Sequence, residues 1–268
     1  MLNPVHLIKW LIISSRGIEA KFAKYSGYRC KSYLTWSNQL ELSWFTIRRL
    51  FKLIKVVDSR EIRTQLRYLV EKHSVLFNSS NCFITNFGSY GKSGNIILYE
   101  MQHLNIIPSN RIIEPWKIPE LPSDAIIVFV DDLIGTGKQS YEYITEQLNL
   151  ILNPSHKPFL LCLFATQDGL DRITANTNFN VLCENILDCN CQYYNEACSI
   201  FTKKEKQTLH RINECLHSEK SAYYDKGLLI AFHYAIPNNT MPIVWKDGCE
   251  YMRNGIKREW FALLPRRY

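Results

Sequence analysis

Asp131 and Asp132 stand side by side at the end of an apolar run over residues 125–130, and Gly135, Thr136, Gly137, Lys138, Gln139 and Ser140 follow at once. Two adjacent carboxylates can accept hydrogen bonds from the vicinal hydroxyls of a sugar ring and help hold a hydrated Mg²⁺. A glycine-rich turn entering a helix presents unpaired backbone N–H groups and the positive end of the helix dipole, and glycine lets an anion approach closely. The combination is a site for a phosphorylated sugar, with the size and chemistry of ribose 5-phosphate. A phosphate-binding loop of the Walker type does not fit, because Asp132 and Gln139 take the places of its first glycine and its hydroxyl residue. A dinucleotide fingerprint lacks its third glycine. A plain turn would leave two buried charges unexplained, and these are costly.

The elements that position this turn can be read from the hydrophobic pattern. Six apolar residues at 125–130 bounded by polar ones suit a strand buried on both faces. A helix is expected over about residues 140–152, a second buried strand over 158–165, a short helix opening at Asp168-Gly169, and a third strand over 179–182. Upstream, residues 82–85 form a short strand, 86–94 a loop with three glycines, and 95–104 a helix. Strands alternating with helices predict an α/β fold, a parallel sheet with helices on both faces, with ligands at the carboxyl ends of the strands. The first 80 residues read as helical. Leu40, Trp44, Ile47, Phe51 and Ile54 make one apolar stripe, and a second helix follows Ser59 with Ile62, Leu66, Leu69 and Val70 inward. Beyond Ser199 a polar helix is expected to about Leu216 and another over 222–229. From His233 an ordered tail follows, in which Pro237, Asn238, Asn239 and Pro242 rule out a regular helix. The division is then a helical N-terminal region, 1–80, an α/β core, 81–200, and a helical and irregular C-terminal extension, 201–268.

The segment around Asp131-Asp132 resembles the signature of the type I phosphoribosyltransferase superfamily, an apolar strand leading to two acids and then to Thr-Gly-x-Thr. Thr136-Gly137-Lys138 match its phosphate turn, and Gln139 stands where a hydroxyl is usual. The form Asp-Asp-x-x-Gly-Thr-Gly-x-Gln is similar to a divergent branch of phosphoribosyltransferase-like proteins of bacterial conflict and antiviral defence systems. Trp36-Ser37-Asn38-Gln39, the stretch from Pro237 to Trp245 and the ending from Trp260 to Arg266 resemble that branch as well. The resemblance implies that Asp131 and Asp132 are the catalytic acids and hold Mg²⁺ through water. Residues 135–140 would bind the 5-phosphate. It further implies that Ser89, Tyr90, Gly91 and Lys92 belong to a loop for the pyrophosphate of phosphoribosyl pyrophosphate. Arg111 and Lys117 lie where some members carry a basic mobile loop. Asp168 is read either as a contact on the acceptor side or as a helix cap, and Asn238 and Asn239 as groups for a base edge or for backbone amides. Trp245 is expected in the core.

The implied activity is transfer of a phosphoribosyl group to an acceptor such as a nucleobase, nucleotide or RNA. The alternatives are a toxin-like effector or subunit of a defence complex acting on nucleotides or RNA, and a non-catalytic ligand sensor of the same fold. The net charge is +7, with Arg253, Lys257, Arg258, Arg266 and Arg267 crowding the end of the chain, which suits either solvated surface or an anionic partner. No segment reaches the ~20 apolar residues of a membrane span, and the apolar stretch 7–13 reads as a buried helix. The chain is therefore expected in the cytoplasm with its nine cysteines reduced. Cys189, Cys191 and Cys198, with Cys183 and His210, lack paired Cys-x-x-Cys spacing and read as buried thiols rather than a zinc site.

Overall fold

A computed structural model describes residues 16–216, 226–253 and 256–266. Along the chain run α1 (residues 16–22), α2 (Ser32–Gln39), α3 (Trp44–Leu53), β1 (Lys55–Val57), α4 (Ser59–Lys72) and α5 (Ser74–Phe77). Then come β2 (Cys82–Asn86), α6 (Ser93–His103), β3 (Ile126–Ile134), α7 (Lys138–Glu146), β4 (Lys157–Thr166), α8 (Gln167–Asn176), β5 (Asn180–Leu182) and β6 (Asn185–Leu187). The last elements are α9 (Lys203–Leu216), β7 (Ile230–Phe232), α10 (Pro242–Trp245), β8 (Cys249–Arg253) and β9 (Ile256–Trp260). They form two compact units, Ser59–Asp188 and the remainder on either side of it. The boundaries expected near residues 80 and 200 therefore differ from those of the contacts. Helix α4 clusters with the sheet, because Ile62, Leu66 and Leu69 are fully buried along one stripe.

The unit Ser59–Asp188 is a parallel sheet flanked by helices. Its strand order is β2-β3-β4-β5, with β6 also on β4. Ile127 and Phe129 of β3 pack with Ile144 of α7 and Ile173 of α8. The alternate residues Val128 and Val130 are fully buried too, so the opposite face is also covered. Strand β3 does not stop at the apolar run. Its pairing with β4 continues through Asp131↔Cys162 and Leu133↔Phe164 to Ile134↔Ala165, which carries the acidic pair inside the strand. A linker segment lies along the outer edge of β2, where Ile112 bridges Ile84 and the Ile113 N–H donates to the Ile84 carbonyl at 2.9 Å.

The other unit holds a core built on Phe22, Trp36, Leu50, Phe51, Ile243, Trp245 and Trp260. The three segments near the two ends of the chain that resemble the divergent branch, residues 36–39, 237–245 and 260–266, meet there. Trp36 Nε1 donates to the Ile243 carbonyl at 2.6 Å. The Gln39 amide exchanges two 2.9 Å hydrogen bonds with the Phe261 backbone. Their role in this unit is structural, a satisfaction of buried polar groups by side chains. Trp245 is buried as expected, and its Nε1 donates to the Thr240 carbonyl at 2.8 Å. Trp44 is 45% exposed, and Leu50 replaces it in the stripe with Ile47, Phe51 and Ile54. The two-stranded parallel pairing of β1 with β7 and the β8–β9 hairpin were not foreseen. The tail also contains one helical turn, α10, started by Pro242 at its first position. In the stretch 222–229 the described residues are not helical, since Leu228 bridges Thr240. The apolar stretch 7–13 lies outside the described residues. Among the described residues no helix is long and apolar enough to cross a membrane.

Candidate functional site

Parallel pairing sets the ends of β2, β3 and β4 on one rim. Asn86 is opposite Val130, and the Phe87 N–H donates to the Val130 carbonyl at 3.0 Å. The loop after β2 therefore leaves the sheet beside the acidic pair. Asn86 Nδ2 donates to the Gly88 carbonyl at 2.8 Å, and Gly88 and Gly91 have φ of 86° and 81°, a left-handed conformation that glycine adopts without strain. Asn95 Nδ2 closes the loop on the Ser89 carbonyl at 3.2 Å. Ser89, Tyr90, Gly91 and Lys92 at its tip are exposed. Gly94 sits where a Cβ would come within 2.2 Å of the Phe87 carbonyl oxygen and 2.7 Å of that of Val130, so α6 starts hard against the strand ends.

That start brings Ser93 to the acids. Its hydroxyl donates to Asp131 Oδ1 at 2.6 Å, and the Asp132 N–H donates to the same oxygen at 2.9 Å. Ser93 was not singled out in the sequence. The only local sign was a hydroxyl residue opening a helix directly after a glycine loop. Asp132 is 7% exposed. Asp131 keeps some open surface, yet its carboxyl lies deep among protein atoms. Burial, reinforced by the charge of Asp132, holds the Asp131 carboxyl well above the usual carboxylate range, while the Ser93 hydroxyl works in the other direction.

A raised folded-state pKa means that the folded chain holds the proton more tightly than the unfolded one. Stability is then greatest below the unfolded value, about 3.9, and is lost as pH rises through the folded value. Asp131→Asn removes this titration and keeps an oxygen for Ser93. In EDTA at pH 8 the variant should melt higher than the wild type, by about 2–4 °C for each kcal/mol relieved, and the gap should close toward pH 4 in a melting series.

The turn after β3 is seated by α8. Gly137 has φ 70° and begins α7, and the Thr136 hydroxyl accepts weakly from the Lys138 N–H at 3.4 Å. Thr166, the last residue of β4, donates from Oγ1 to the Gly135 carbonyl at 2.6 Å and accepts from the Gly169 N–H at 3.1 Å. Thr166 is thus the cap of α8, and the cap reading of Asp168 gives way to it: Asp168 is exposed in the first helical turn on the same rim. Lys138 and Gln139 are exposed and Ser140 is buried. The first turn of α7 therefore offers backbone N–H groups and one cation, loosely paired with Glu142 at 3.8 Å.

Other candidates are placed elsewhere. Arg111 donates to the Phe77 and Ser79 carbonyls at 2.8 and 2.7 Å, which commits it near the amino end of β2, away from the rim. Lys117 lies 5.1 Å from the Trp116 ring centroid. Asn238 is exposed and Asn239 buried, and both belong to the unit outside Ser59–Asp188. In the basic tail Arg266 donates to the Ile236 carbonyl and stacks 3.9 Å from the Trp245 ring centroid, and Lys257 pairs with Glu250. Arg267 and the Arg253 side chain lie outside the described residues. No disulfide joins the cysteines, and among the described residues no group of three or more His, Cys, Asp or Glu is placed to hold a metal ion.

Parts of the chain are similar to known proteins. Uracil phosphoribosyltransferase of Metamycoplasma hominis is 30% identical over 92 residues, which are 34% of this chain and 40% of that enzyme. The chain thus spans well under half the length of that relative. Among solved structures, orotate phosphoribosyltransferase from Aeropyrum pernix is 17% identical, with a TM-score of 0.34 over 48% of this chain and 73% of that one. The Helicobacter pylori xanthine-guanine-hypoxanthine phosphoribosyltransferase is 12% identical, with a TM-score of 0.33 over 49% of this chain and 90% of that one. The family profile PRTase-CE matches residues 35–266, across both units, and the chain belongs to that phosphoribosyltransferase-like family.

Proposed function

We propose that the chain binds phosphoribosyl pyrophosphate together with Mg²⁺ and transfers the phosphoribosyl group to an acceptor. One observation carries the reading: two adjacent carboxyls lie in the last half of the central strand β3, beside the glycine loops that follow β2 and β3 on the same rim. In this reading the N–H groups of residues 136–139 hold the 5-phosphate, and Asp131 and Asp132 accept hydrogen bonds from the ribose hydroxyls. Lys92 and the backbone of residues 88–92 meet the diphosphate. The donor set, two carboxylates with oxygens from water and diphosphate, suits a hard cation, and Mg²⁺ would neutralise the leaving group there. The C1–O bond to pyrophosphate breaks as the bond to the acceptor forms. The chain contributes mainly position and charge, and the two acids also face the positive charge that develops on the ribose ring.

Asp168 stands on the acceptor side of the rim in this scheme. Calorimetric titration with phosphoribosyl pyrophosphate, with Mg²⁺ and with EDTA, tests the reading. Pyrophosphate release should be followed with nucleobases, nucleotides and RNA as acceptors, beginning with uracil, the base in the name of the curated relative. Mg²⁺-dependent binding and release with one acceptor class are expected. Absence of binding removes the reading, and binding without release from any class reduces it to ligand sensing.

A further inference from the structure

Ser93 ends one glycine loop and touches an acid of the strand that leads into the other. Its hydroxyl, 2.6 Å from Asp131 Oδ1, spans 38 positions of sequence. The Asp132 N–H binds the same oxygen. Two donors on Oδ1 fix the plane of the carboxyl. Ser93 itself has little freedom, because Gly94 holds the start of α6 against the Phe87 and Val130 carbonyls with no room for a Cβ. The rotamer of Asp131 is therefore set in part from outside its own strand.

We propose that Ser93 is the positioning residue that lets the acidic pair distinguish ribose from 2-deoxyribose, by holding Asp131 where a vicinal diol can bridge both carboxyls. This rests on the phosphoribosyl reading above. A diol bridging two carboxyls requires both oxygens in register, and a carboxyl free to rotate loses that match before it loses a single hydrogen bond. The loss falls on the hydroxyl absent from 2-deoxyribose, whereas the phosphate is held by the separate turn at residues 135–139.

The test is equilibrium binding of ribose 5-phosphate, 2-deoxyribose 5-phosphate and inorganic phosphate to the full chain, as wild type, Ser93→Ala and Ser93→Thr. The wild type should prefer the ribose ligand by about tenfold, the worth of one hydrogen bond to a charged group. Ser93→Ala should narrow that ratio to about twofold with phosphate affinity unchanged. Ser93→Thr, which keeps the hydroxyl, should restore the preference, an outcome that a merely structural role would not give. An undiminished ratio in Ser93→Ala, or equal binding of the two sugars by the wild type, overturns this proposal and leaves the phosphoribosyl reading standing. Failure of the wild type to bind either sugar phosphate overturns both.

Discussion

Replacing Asp131 and Asp132 together by asparagine should lower the affinity for Mg²⁺–phosphoribosyl pyrophosphate by about 100-fold or more, and leave the affinity for inorganic phosphate within about twofold. The reason lies in what the pair does and what it does not. Asparagine keeps the volume, so the buried surroundings of Asp132 and the hydrogen bond from Ser93 need not change. The charge is lost, and with it one acceptor oxygen on each side chain and the charge-assisted bonds to ribose hydroxyls and to a hard cation. Each hydrogen bond to a charged group is worth about 1.5–3 kcal/mol, and two of them give at least two powers of ten. The phosphate turn is built from other residues and should keep its own affinity. Calorimetry of both ligands with the wild type and the double variant measures it, with a melting curve to show that the variant folds. The same substitution at Asp131 is expected to raise stability, so gain in folding and loss in binding would come from one position, as is common where a site stores unfavourable charge.

Gly169→Ala should damage the same site from the phosphate end. A Cβ at Gly169 would lie 2.3 Å from the Gly135 carbonyl oxygen and 2.9 Å from Ile134 Cγ2, and one at Gly137 would lie 2.7 Å from the Gly169 carbonyl oxygen. Two backbone turns are pressed together there, so no flexible side chain can move aside to relieve the overlap. Overpacking of this kind costs about 1–3 kcal/mol, and the strain would displace Gly135 from the Thr166 hydroxyl. The expected result is a melting point lower by several degrees and an affinity for ribose 5-phosphate reduced more than about tenfold, since a shift of about 1 Å in a preorganised anion site breaks several hydrogen bonds together. Gly17→Ala, where a Cβ would meet nothing within 4 Å, is the control.

The parts of this account that were legible in the sequence are those written locally. The run at 125–130 announced a strand buried on both faces, and Asp131, Asp132 and the turn at 135–137 announced themselves by adjacency. The end of β3 was misjudged by four residues, because two carboxylates look like the end of a strand when pairing with β4 cannot be seen. Long-range pairing explains the other differences. Strand β1 finds its partner β7 across more than half of the chain, and three residues of Lys-Val-Val carry no sign of it. Trp44 fell on the apolar stripe by spacing alone, and at the first position of α3 it has no neighbouring turn to bury it. The same limit applies to the site. Ser93 and the Thr166–Gly169 seat act across 38 and 31 positions, as contacts between strand ends that neighbour each other only in the folded sheet.

The measurement that bears most directly on the central claim is a crystal structure of the chain with ribose 5-phosphate and Mg²⁺. The phosphate oxygens should lie within hydrogen-bond distance of the backbone N–H groups of residues 136–139, and the ribose hydroxyls on Asp131 and Asp132. Ligand density elsewhere on the chain, with the acidic pair facing no sugar, would contradict it.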